Sequence, residues 1–163
     1  MYASRMYAVC LRYCSDKDAA KDILQDGFIK VFDHISQFRS SGSLEGWIRR
    51  IIVNTALEKF RKAKRIHFTD QFPELSEQEA EVSEEQYDHE ISMEDLMEMV
   101  QQLPDQYRYV FNLYVFEDMT HKEIAERLEI AEGTSKSDLS RARKILQREI
   151  KNKYMQSVNI HSA

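Results

Sequence analysis

The sequence predicts an all-α protein built from two small helical domains. Only 4 Gly and 2 Pro occur among 163 residues, which is too few for the many turns of an all-β sandwich or barrel. Apolar residues instead recur at spacings of three and four along most of the chain, the period of amphipathic helices. The distribution of charge then divides these helices into two groups.

The net charge of −5 conceals three blocks of different sign. Residues 1–66 carry 13 Lys and Arg against 7 Asp and Glu, residues 67–103 carry none against 12, and residues 104–163 carry 10 against 9. Residues 67–91 combine like charges with few apolar side chains, so we expect an acidic flexible linker there. It joins domains at 1–66 and 92–152, and 153–163 forms a tail. An alternative function for the linker is a decoy that screens the basic helices when no DNA is bound.

Several classes of protein are disfavoured by the residues that are missing. No stretch approaches the ~20 apolar residues of a membrane span, and no signal peptide opens the chain, so we expect a cytoplasmic protein without membrane insertion. Cys10 and Cys14 have no second Cys/His pair at zinc-ligand spacing, which favours buried free thiols over a metal site. The sequence shows no nucleophile paired with a base, no Gly-rich phosphate loop and no paired Glu-x-x-His motifs. We therefore expect no enzymatic activity and no cofactor.

Three helices are predicted in the N-terminal domain. The first begins almost at Met1. Ser15 with Asp18 matches a capping box that opens the second helix, whose apolar side is predicted to contain Ala20, Ile23, Leu24, Phe28, Val31, Phe32 and Ile35. A hinge at 38–43 follows, and Ser43 is suited to cap the third helix, which is strongly basic.

The second and third helices each carry a candidate interaction surface. Trp47, Arg50, Asn54 and Arg61 lie at offsets of zero, three, seven and fourteen, so they share one stripe. An aromatic ring, an amide and cations together suit single-stranded DNA. The plainer alternative is that Trp47 belongs to the core and Asn54 to an ordinary surface.

An acidic stripe on the second helix is the other candidate, and its members are Asp18, Asp22, Gln25, Asp26 and Asp33. Gly27 lies among them, although a Gly inside a helix costs about 1 kcal/mol relative to Ala. This Gly indicates a close approach of another helix or of a partner, so a protein-docking surface is one interpretation. The alternative is an acidic face that simply contacts solvent.

The C-terminal domain shows a helix-turn-helix pattern. Ser92 with Asp95 opens one helix, and Pro104 suits the first position of the next. Thr120 with Glu123 forms a further capping box, and a turn from Glu129 to Glu132 leads into a last helix from about Gly133 to Ile150. A short helix, a tight turn and a basic helix are typical of DNA-binding proteins.

The last helix is expected to divide into a buried and an outward face. Leu139, Ala142, Ile145, Leu146 and Ile150 fall on the inner side. The outward residues are mostly hydroxyls and cations, which suit the major groove: Lys136, Ser137, Ser140, Arg141, Arg143, Lys144 and Gln147. The alternative is a solvated amphipathic helix within a bundle.

Four motifs in register resemble the sigma-70 family of bacterial RNA polymerase sigma factors, in particular the extracytoplasmic-function (ECF) group, which keeps only regions 2 and 4. The first two are Asp22-Ile-Leu-Gln-Asp-Gly-Phe28 and Trp47-Ile-Arg-Arg-Ile-Ile-Val-Asn54. The other two lie in the C-terminal half, around Leu103-Pro104 to Phe111 and around Gly133 to Arg143. The resemblance covers nearly the whole chain.

The resemblance implies a promoter-specificity subunit with three binding surfaces. Asp22, Gln25, Asp26 and Phe28 would contact the clamp helices of the largest subunit of core RNA polymerase. Trp47, Arg49, Arg50, Asn54 and Arg61 would recognise and melt the minus-ten element, with residues 39–44 near a captured base. Thr134, Lys136, Ser137, Asp138, Arg141, Arg143 and Lys144 would bind the minus-thirty-five element.

Further partners follow from the same resemblance. Region 4 would contact the polymerase flap, the linker would thread toward the active-centre cleft, and an anti-sigma factor would clamp both domains. The alternative function is a helix-turn-helix transcriptional regulator whose residues 1–66 serve dimerisation or sensing. These two functions differ in whether the N-terminal surfaces take part in promoter activity.

The sequence also departs from the family pattern at several places. Ser135 stands where a buried Val is common, and Glu58 stands where Asp is common. Asp138 replaces an Arg or Gln; because a carboxylate repels phosphates, it must bind a base, such as a cytosine amino group, or lie off the DNA. The first helix is shorter than usual, which indicates a chain that is short at its N-terminus.

Overall fold

The computed structural model describes residues 1–66 and 91–161, and in these ranges it contains helices without strands. The α-helices are α1 (Ala3–Tyr13), α2 (Lys17–His34), α3 (Leu44–Ile66), α4 (Met93–Gln102), α5 (Asp105–Val115), α6 (His121–Leu128) and α7 (Glu132–His161). A short 3-10 helix, Ile35–Gln37, extends α2. The predicted all-α class is therefore confirmed. The predicted linker lies outside the described residues except for Ile91.

The start of α2 is one residue later than the capping box predicts. The N-cap is Asp16, whose side chain accepts hydrogen bonds from the backbone N–H groups of Asp18 and Ala19 at 3.0 and 2.8 Å. An Asp carboxylate in extended backbone satisfies two of the free N–H groups at once, so it takes the place that was expected for Ser15. Ser43 caps α3 as expected, because its hydroxyl accepts from the N–H of Gly46 at 3.3 Å.

The caps of the C-terminal helices largely follow the prediction. Ser92 caps α4, and Thr120 with Glu123 completes a reciprocal capping box at α6. Pro104 is the N-cap of α5 and not its first helical residue. Helix α7 begins at Glu132 and continues to His161, through most of the residues 153–163 that were predicted as a tail.

The two predicted domains share one continuous core. Helices α1, α2 and α3 bury residues such as Met6, Ile23 and Ile52. The same cluster of buried side chains continues into Leu113 of α5 and Leu128 of α6. Since each domain alone is small for independent stability, joint burial adds apolar contact that neither has by itself.

The C-terminal end of α1 is capped by side chains of the C-terminal domain. Gln101 donates to the carbonyl of Leu11 at 3.0 Å, and Asn112 donates to the carbonyl of Arg12 at 2.8 Å. Arg108, which is buried, donates through Nε to the carbonyl of Tyr13 at 3.3 Å. Terminal carbonyls of a helix have no partner within the helix, so these contacts tie the two domains together.

The two cysteines, Cys10 in α1 and Cys14 at its C-cap, are buried free thiols, as the sequence predicts. Burial raises the pKa of Cys10 to about 12, and burial raises that of Cys14 to about 11. Both thiols are thus protonated at neutral pH, where an un-ionised thiol is a poor nucleophile.

Gly27 marks the close approach of α2 to α3. A Cβ placed on it would overlap the Cδ1 of Ile52 and lie 3.4 Å from its Cγ1. Because Ile52 is fully buried, we expect Gly27→Ala to lower the free energy of unfolding by about 1 kcal/mol, since overpacking outweighs the better helix propensity of Ala. Gly133→Ala is the control, because open space surrounds Gly133 in α7. Chemical denaturation measures both, and a Gly27→Ala protein at least as stable as the wild type would contradict this packing.

Candidate nucleic-acid interface and protein-docking face

The outward face of α7 matches the sequence prediction closely. Lys136, Ser137, Arg141, Arg143 and Lys144 are exposed, and Thr134 is partly exposed. The opposite side is held by Leu139 and Ala142, which are buried against the rest of the domain. The N-terminal half of the helix therefore exposes four cations and the hydroxyls of Ser137 and Ser140, the kinds of side chain with which recognition helices contact the major groove.

Ser135 is buried on the inner side of the same helix. Its hydroxyl lies 3.0 Å from Nδ1 of His121 in α6. The His121 ring also stacks on Tyr114, with ring centroids 4.9 Å apart. The hydroxyl that replaces the family's Val thus has a polar partner, as buried polar groups require.

Asp138 does not lie on the outward face, and this corrects its place among the predicted DNA contacts. Its side chain is 1% exposed, and it accepts a hydrogen bond from Nε2 of Gln106 at 2.6 Å. Nη1 of Arg141 lies 3.6 Å from its other oxygen. The spacing of α7 already indicates this position, because Asp138 precedes Ala142 by four residues and Ile145 by seven, on the inner side of the helix. Its hydrogen-bond partner, Gln106, belongs to α5.

Burial raises the pKa of Asp138 above its ordinary value. Because the folded-state pKa lies above the unfolded one, the ionised carboxylate costs stability at neutral pH, and this cost fades as the pH falls through the folded-state pKa. We therefore expect Asp138→Asn, whose carbonyl can still accept from Gln106, to be at least as stable as the wild type at pH 7.

The same substitution tests whether Asp138 recognises a base. A lost base contact costs about 1 to 3 kcal/mol, whereas a residue buried off the DNA leaves base preference unchanged within about twofold. Affinity measurements on duplexes with each base changed in turn distinguish the two. A loss of discrimination at one position would show that Asp138 turns outward on DNA.

Two members of the α3 stripe remain accessible. Arg50 is exposed, and Trp47 is partly exposed. The Trp47 ring packs against the core and against Phe38 of the preceding hinge, with ring centroids 5.6 Å apart. Trp47 therefore combines a packing role with an accessible part, so the two interpretations of this residue are compatible.

The other α3 residues contact the C-terminal domain. Arg49 donates from Nε and Nη2 to the two oxygens of Glu117 at 3.1 and 2.8 Å, and these bonds raise its pKa. Oδ1 of Asn54 accepts from Arg127 at 2.6 Å. Arg61 donates to the backbone carbonyl of Arg127 at 3.3 Å. The predicted DNA-facing stripe is thus largely paired within the molecule.

The outer face of α2 carries acidic residues that continue into an apolar strip. Asp22 and Gln25 are exposed, while Asp26 pairs with Lys59 of α3 at 2.6 Å. Phe28 is half-buried and packs on the core.

The apolar strip lies further along the same helix and was missed by the sequence analysis. Phe32 is 73% exposed, and Ile29 and Ile35 are 52% and 47% exposed. Phe32 and Ile35, predicted on the apolar side of the helix, are thus exposed and not buried in the core. Ile29 follows Asp22 by seven residues, so its position on the acidic face was open to inference from helical spacing.

Other kinds of site are not found in the described ranges. Residues 1–66 and 91–161 contain no group of three His, Cys, Asp or Glu side chains placed to hold a metal ion. Among the helices in those ranges, none is long and apolar enough to cross a membrane.

The described surfaces define a class of protein. A helix-turn-helix with an exposed basic helix is typical of DNA-binding proteins. A second basic helix with an aromatic ring and an amide suits single-stranded DNA, and the acidic and apolar face of α2 is typical of a protein-docking surface.

Comparison with known proteins identifies the family. Residues 1–66 match the model of sigma-70 region 2, and residues 93–146 match that of sigma-70 region 4. The RNA polymerase sigma factor SigV of Bacillus subtilis is 31% identical over 86% of this chain and 81% of its own. The ECF RNA polymerase sigma factor SigW of the same organism is 27% identical over 93% and 86%.

A solved structure agrees with these matches. The sigma factor RpoE from Bartonella quintana, co-crystallised with the anti-sigma factor NepR, has a TM-score of 0.55, 25% identity and 92% coverage of both chains. The protein therefore belongs to the sigma-70 family and is a sigma factor of the ECF group. Because region 2 and region 4 both match, the alternative of a regulator that uses only its helix-turn-helix is not supported.

Proposed function

We propose that the protein binds core RNA polymerase and directs it to one class of promoter through three surfaces on α2, α3 and α7. The single observation that carries the proposal is that the exposed recognition residues of α7 and the exposed face of α2 occur in one chain, within the segments that match regions 4 and 2. Catalysis would belong to the polymerase, and the protein would act in the cytoplasm, where the polymerase and the promoters are.

The outer face of α2 is our proposed docking surface for the clamp helices of core polymerase. Asp22, Gln25 and Asp26 supply negative charge and hydrogen-bond acceptors, and Phe32, which is 73% exposed, offers an aromatic ring. Aromatic side chains that fill a partner's pocket often dominate binding energy. We therefore add Ile29 and Phe32 to the residues that resemblance assigns to this contact.

The stripe on α3 is our proposed surface for the minus-ten element. Arg50 is exposed and can hold a phosphate, and Trp47 is partly accessible for stacking on an unpaired base. Asn54 has an amide that can hydrogen-bond a base edge, and Arg49 and Arg61 supply further cations. Three of these five residues, Arg49, Asn54 and Arg61, would first have to leave their partners in the C-terminal domain.

The outward face of α7 is our proposed surface for the minus-thirty-five element. Lys136, Arg141, Arg143 and Lys144 would neutralise phosphates or donate to bases, and Thr134 and Ser137 would supply shorter hydrogen bonds. Asp138 is left out, because it is buried. Region 4 would also contact the polymerase flap.

An anti-sigma factor is a further proposed partner. The similar structure from Bartonella quintana is a complex of a sigma factor with an anti-sigma factor. The present chain covers 92% of that sigma factor at a TM-score of 0.55. A partner of this kind would hold the protein inactive until a stimulus releases it.

The experiment that tests the proposal is transcription with purified core polymerase on fragmented DNA from the source genome. Core polymerase alone is expected to start without preference, whereas addition of the protein should produce transcripts from a few defined start sites. Those sites should share sequence elements near minus-ten and minus-thirty-five. A protein that binds specific DNA but never redirects core polymerase would instead be a helix-turn-helix regulator.

A further inference from the structure

Carboxylates of the C-terminal domain lie opposite the cations of α3. Glu117, in the turn that follows α5, pairs with Arg49. Glu129, at the end of α6, pairs with Arg65 at 3.0 Å. Both carboxylates thus occupy positions at which DNA phosphates would neutralise a basic helix.

The amide and the remaining arginine of the stripe are held by α6. The guanidinium of Arg127 donates to Asn54, and the backbone carbonyl of Arg127 accepts from Arg61. A cleft of about 540 Å³ lies beside these contacts, with Arg50 on one wall and Asp118 and Glu123 on the other. Even the exposed Arg50 therefore borders acidic groups.

The conformation of Glu129 favours a role for its side chain. Its φ of 57° is left-handed, a region in which Gly is normally preferred at the end of a helix. A Glu in this position costs backbone strain, and here its carboxylate reaches across to α3. The sequence thus keeps a charged side chain where backbone geometry alone would favour Gly.

A large apolar and hydrogen-bonded contact accompanies these charge pairs. Tyr109 of α5 stacks on Phe60 of α3 with ring centroids 4.3 Å apart, and its hydroxyl donates to the carbonyl of Ala56 at 3.1 Å. Gln101, Arg108 and Asn112 cap α1 as described above. The contact between the domains is thus built like a protein interior and not like a loose surface encounter.

The contact covers only one of the three binding surfaces. The cations of α7 and the apolar strip on α2 remain exposed in the same structure. The contact between the domains therefore covers the proposed DNA-binding surface of α3 and leaves that of α7 accessible.

We infer that the C-terminal domain is an intramolecular ligand of α3, in which Glu117, Arg127 and Glu129 replace DNA on Arg49, Asn54 and Arg65. This inference rests on the proposed function. In the closed form, in which the two domains are in contact, α7 can bind duplex DNA and α2 can bind a protein partner. Single-stranded DNA can contact α3 only after the domains separate. The apparent affinity of α3 for DNA is then its intrinsic affinity multiplied by the fraction of molecules that are open.

The test begins with a charge reversal on the C-terminal side of the contact, which leaves the α3 residues intact. Glu117→Arg places a cation beside Arg49. Glu129→Arg, opposite Arg65, is the second variant, because both side chains of that pair are largely exposed and the fold should tolerate the change. Glu126→Arg is the matched control. Glu126 is exposed on α6, and its substitution changes the net charge by the same amount.

Small-angle X-ray scattering on the full chain measures the first effect. We expect a compact wild type and control, a larger radius of gyration in Glu117→Arg, and a return to the compact form in Arg49→Glu/Glu117→Arg, where the pair is restored with reversed polarity. A wild type that is already extended, or a Glu117→Arg protein as compact as the control, would overturn the inference whatever the protein does in transcription.

Binding to a short single-stranded oligonucleotide and to a duplex, both of mixed sequence, measures the second effect. We expect Glu117→Arg to bind the single strand about tenfold more tightly than the Glu126→Arg control, while the two variants bind the duplex equally. If Glu117→Arg is expanded but binds the single strand no more tightly than the control, the inference that the C-terminal domain masks α3 is overturned. Arg50→Ala in the expanded protein then separates the causes: if it weakens single-strand binding, only the masking is wrong, and if it has no effect, the assignment of α3 to DNA fails as well.

Discussion

Replacing Arg50 and Asn54 together by Ala is expected to reduce promoter opening about a hundredfold, while binding to core polymerase is unchanged. Two lost contacts at about 1 to 3 kcal/mol each produce a loss of this order. Both side chains lie on the stripe of α3 that we propose for the minus-ten element, and neither belongs to the apolar strip of α2. Permanganate footprinting of unpaired thymines measures opening directly.

The double variant also distinguishes melting of the promoter from separation of the two protein domains. Asn54→Ala removes the acceptor of Arg127, so the contact between the domains is weakened while promoter melting is lost. Lys62→Ala is a suitable control, because Lys62 is an exposed cation of the same helix outside the stripe. Melting that survives in the double variant would contradict the assignment of this stripe to the minus-ten element.

Arg141→Ala with Lys144→Ala is expected to abolish specific binding to the minus-thirty-five element. Both cations lie on the exposed face of α7. If about five phosphates are neutralised, log affinity should fall with log salt at a slope of about −4 to −5. The double variant should reduce this slope by about two.

Titrations of a duplex at several salt concentrations measure both quantities. Lys17→Ala with Lys21→Ala removes the same charge from exposed positions on α2, outside the proposed surface, and should leave the slope near that of the wild type. An equal change in both double variants would show that general charge, and not this face of α7, determines the affinity. A slope near zero in the wild type would refute the DNA-binding assignment of α7.

Much of the fold follows from local chemistry in the sequence. The capping residues Ser43, Ser92 and Thr120 each begin the helix that they predict, because a hydroxyl that satisfies free N–H groups acts within three residues. The error at α2 has the same origin, since Ser15 and Asp16 are both good caps and only the backbone decides between them.

What the sequence could not predict depends on contacts between distant segments. The partner of the buried Asp138 carboxylate is Gln106, 32 residues earlier. Arg49 and Glu117 are separated by 68 residues, and neither helical spacing nor net charge reveals their pairing. Phe32 shows the reverse case, in which an apolar residue on an apparently inward spacing remains exposed because no helix of residues 1–66 or 91–161 covers it.

The most direct measurement of the central claim is the affinity of the protein for bacterial core RNA polymerase, determined by co-elution from a sizing column. We expect the wild type to co-elute, and both Asp22→Lys/Asp26→Lys and Phe32→Ala to lose at least tenfold in affinity, as central contacts of an interface do. Glu94→Lys/Glu98→Lys matches the first variant in charge, and Met93→Ala matches the second, because Met93 is 74% exposed.

The controls are expected to retain the contact with the clamp helices and to bind core polymerase nearly as the wild type does, since their positions on α4 lie outside the proposed surface of α2. A folded wild type that fails to co-elute would contradict the account. So would variants of α2 that bind as well as their controls, because the docking surface would then lie elsewhere.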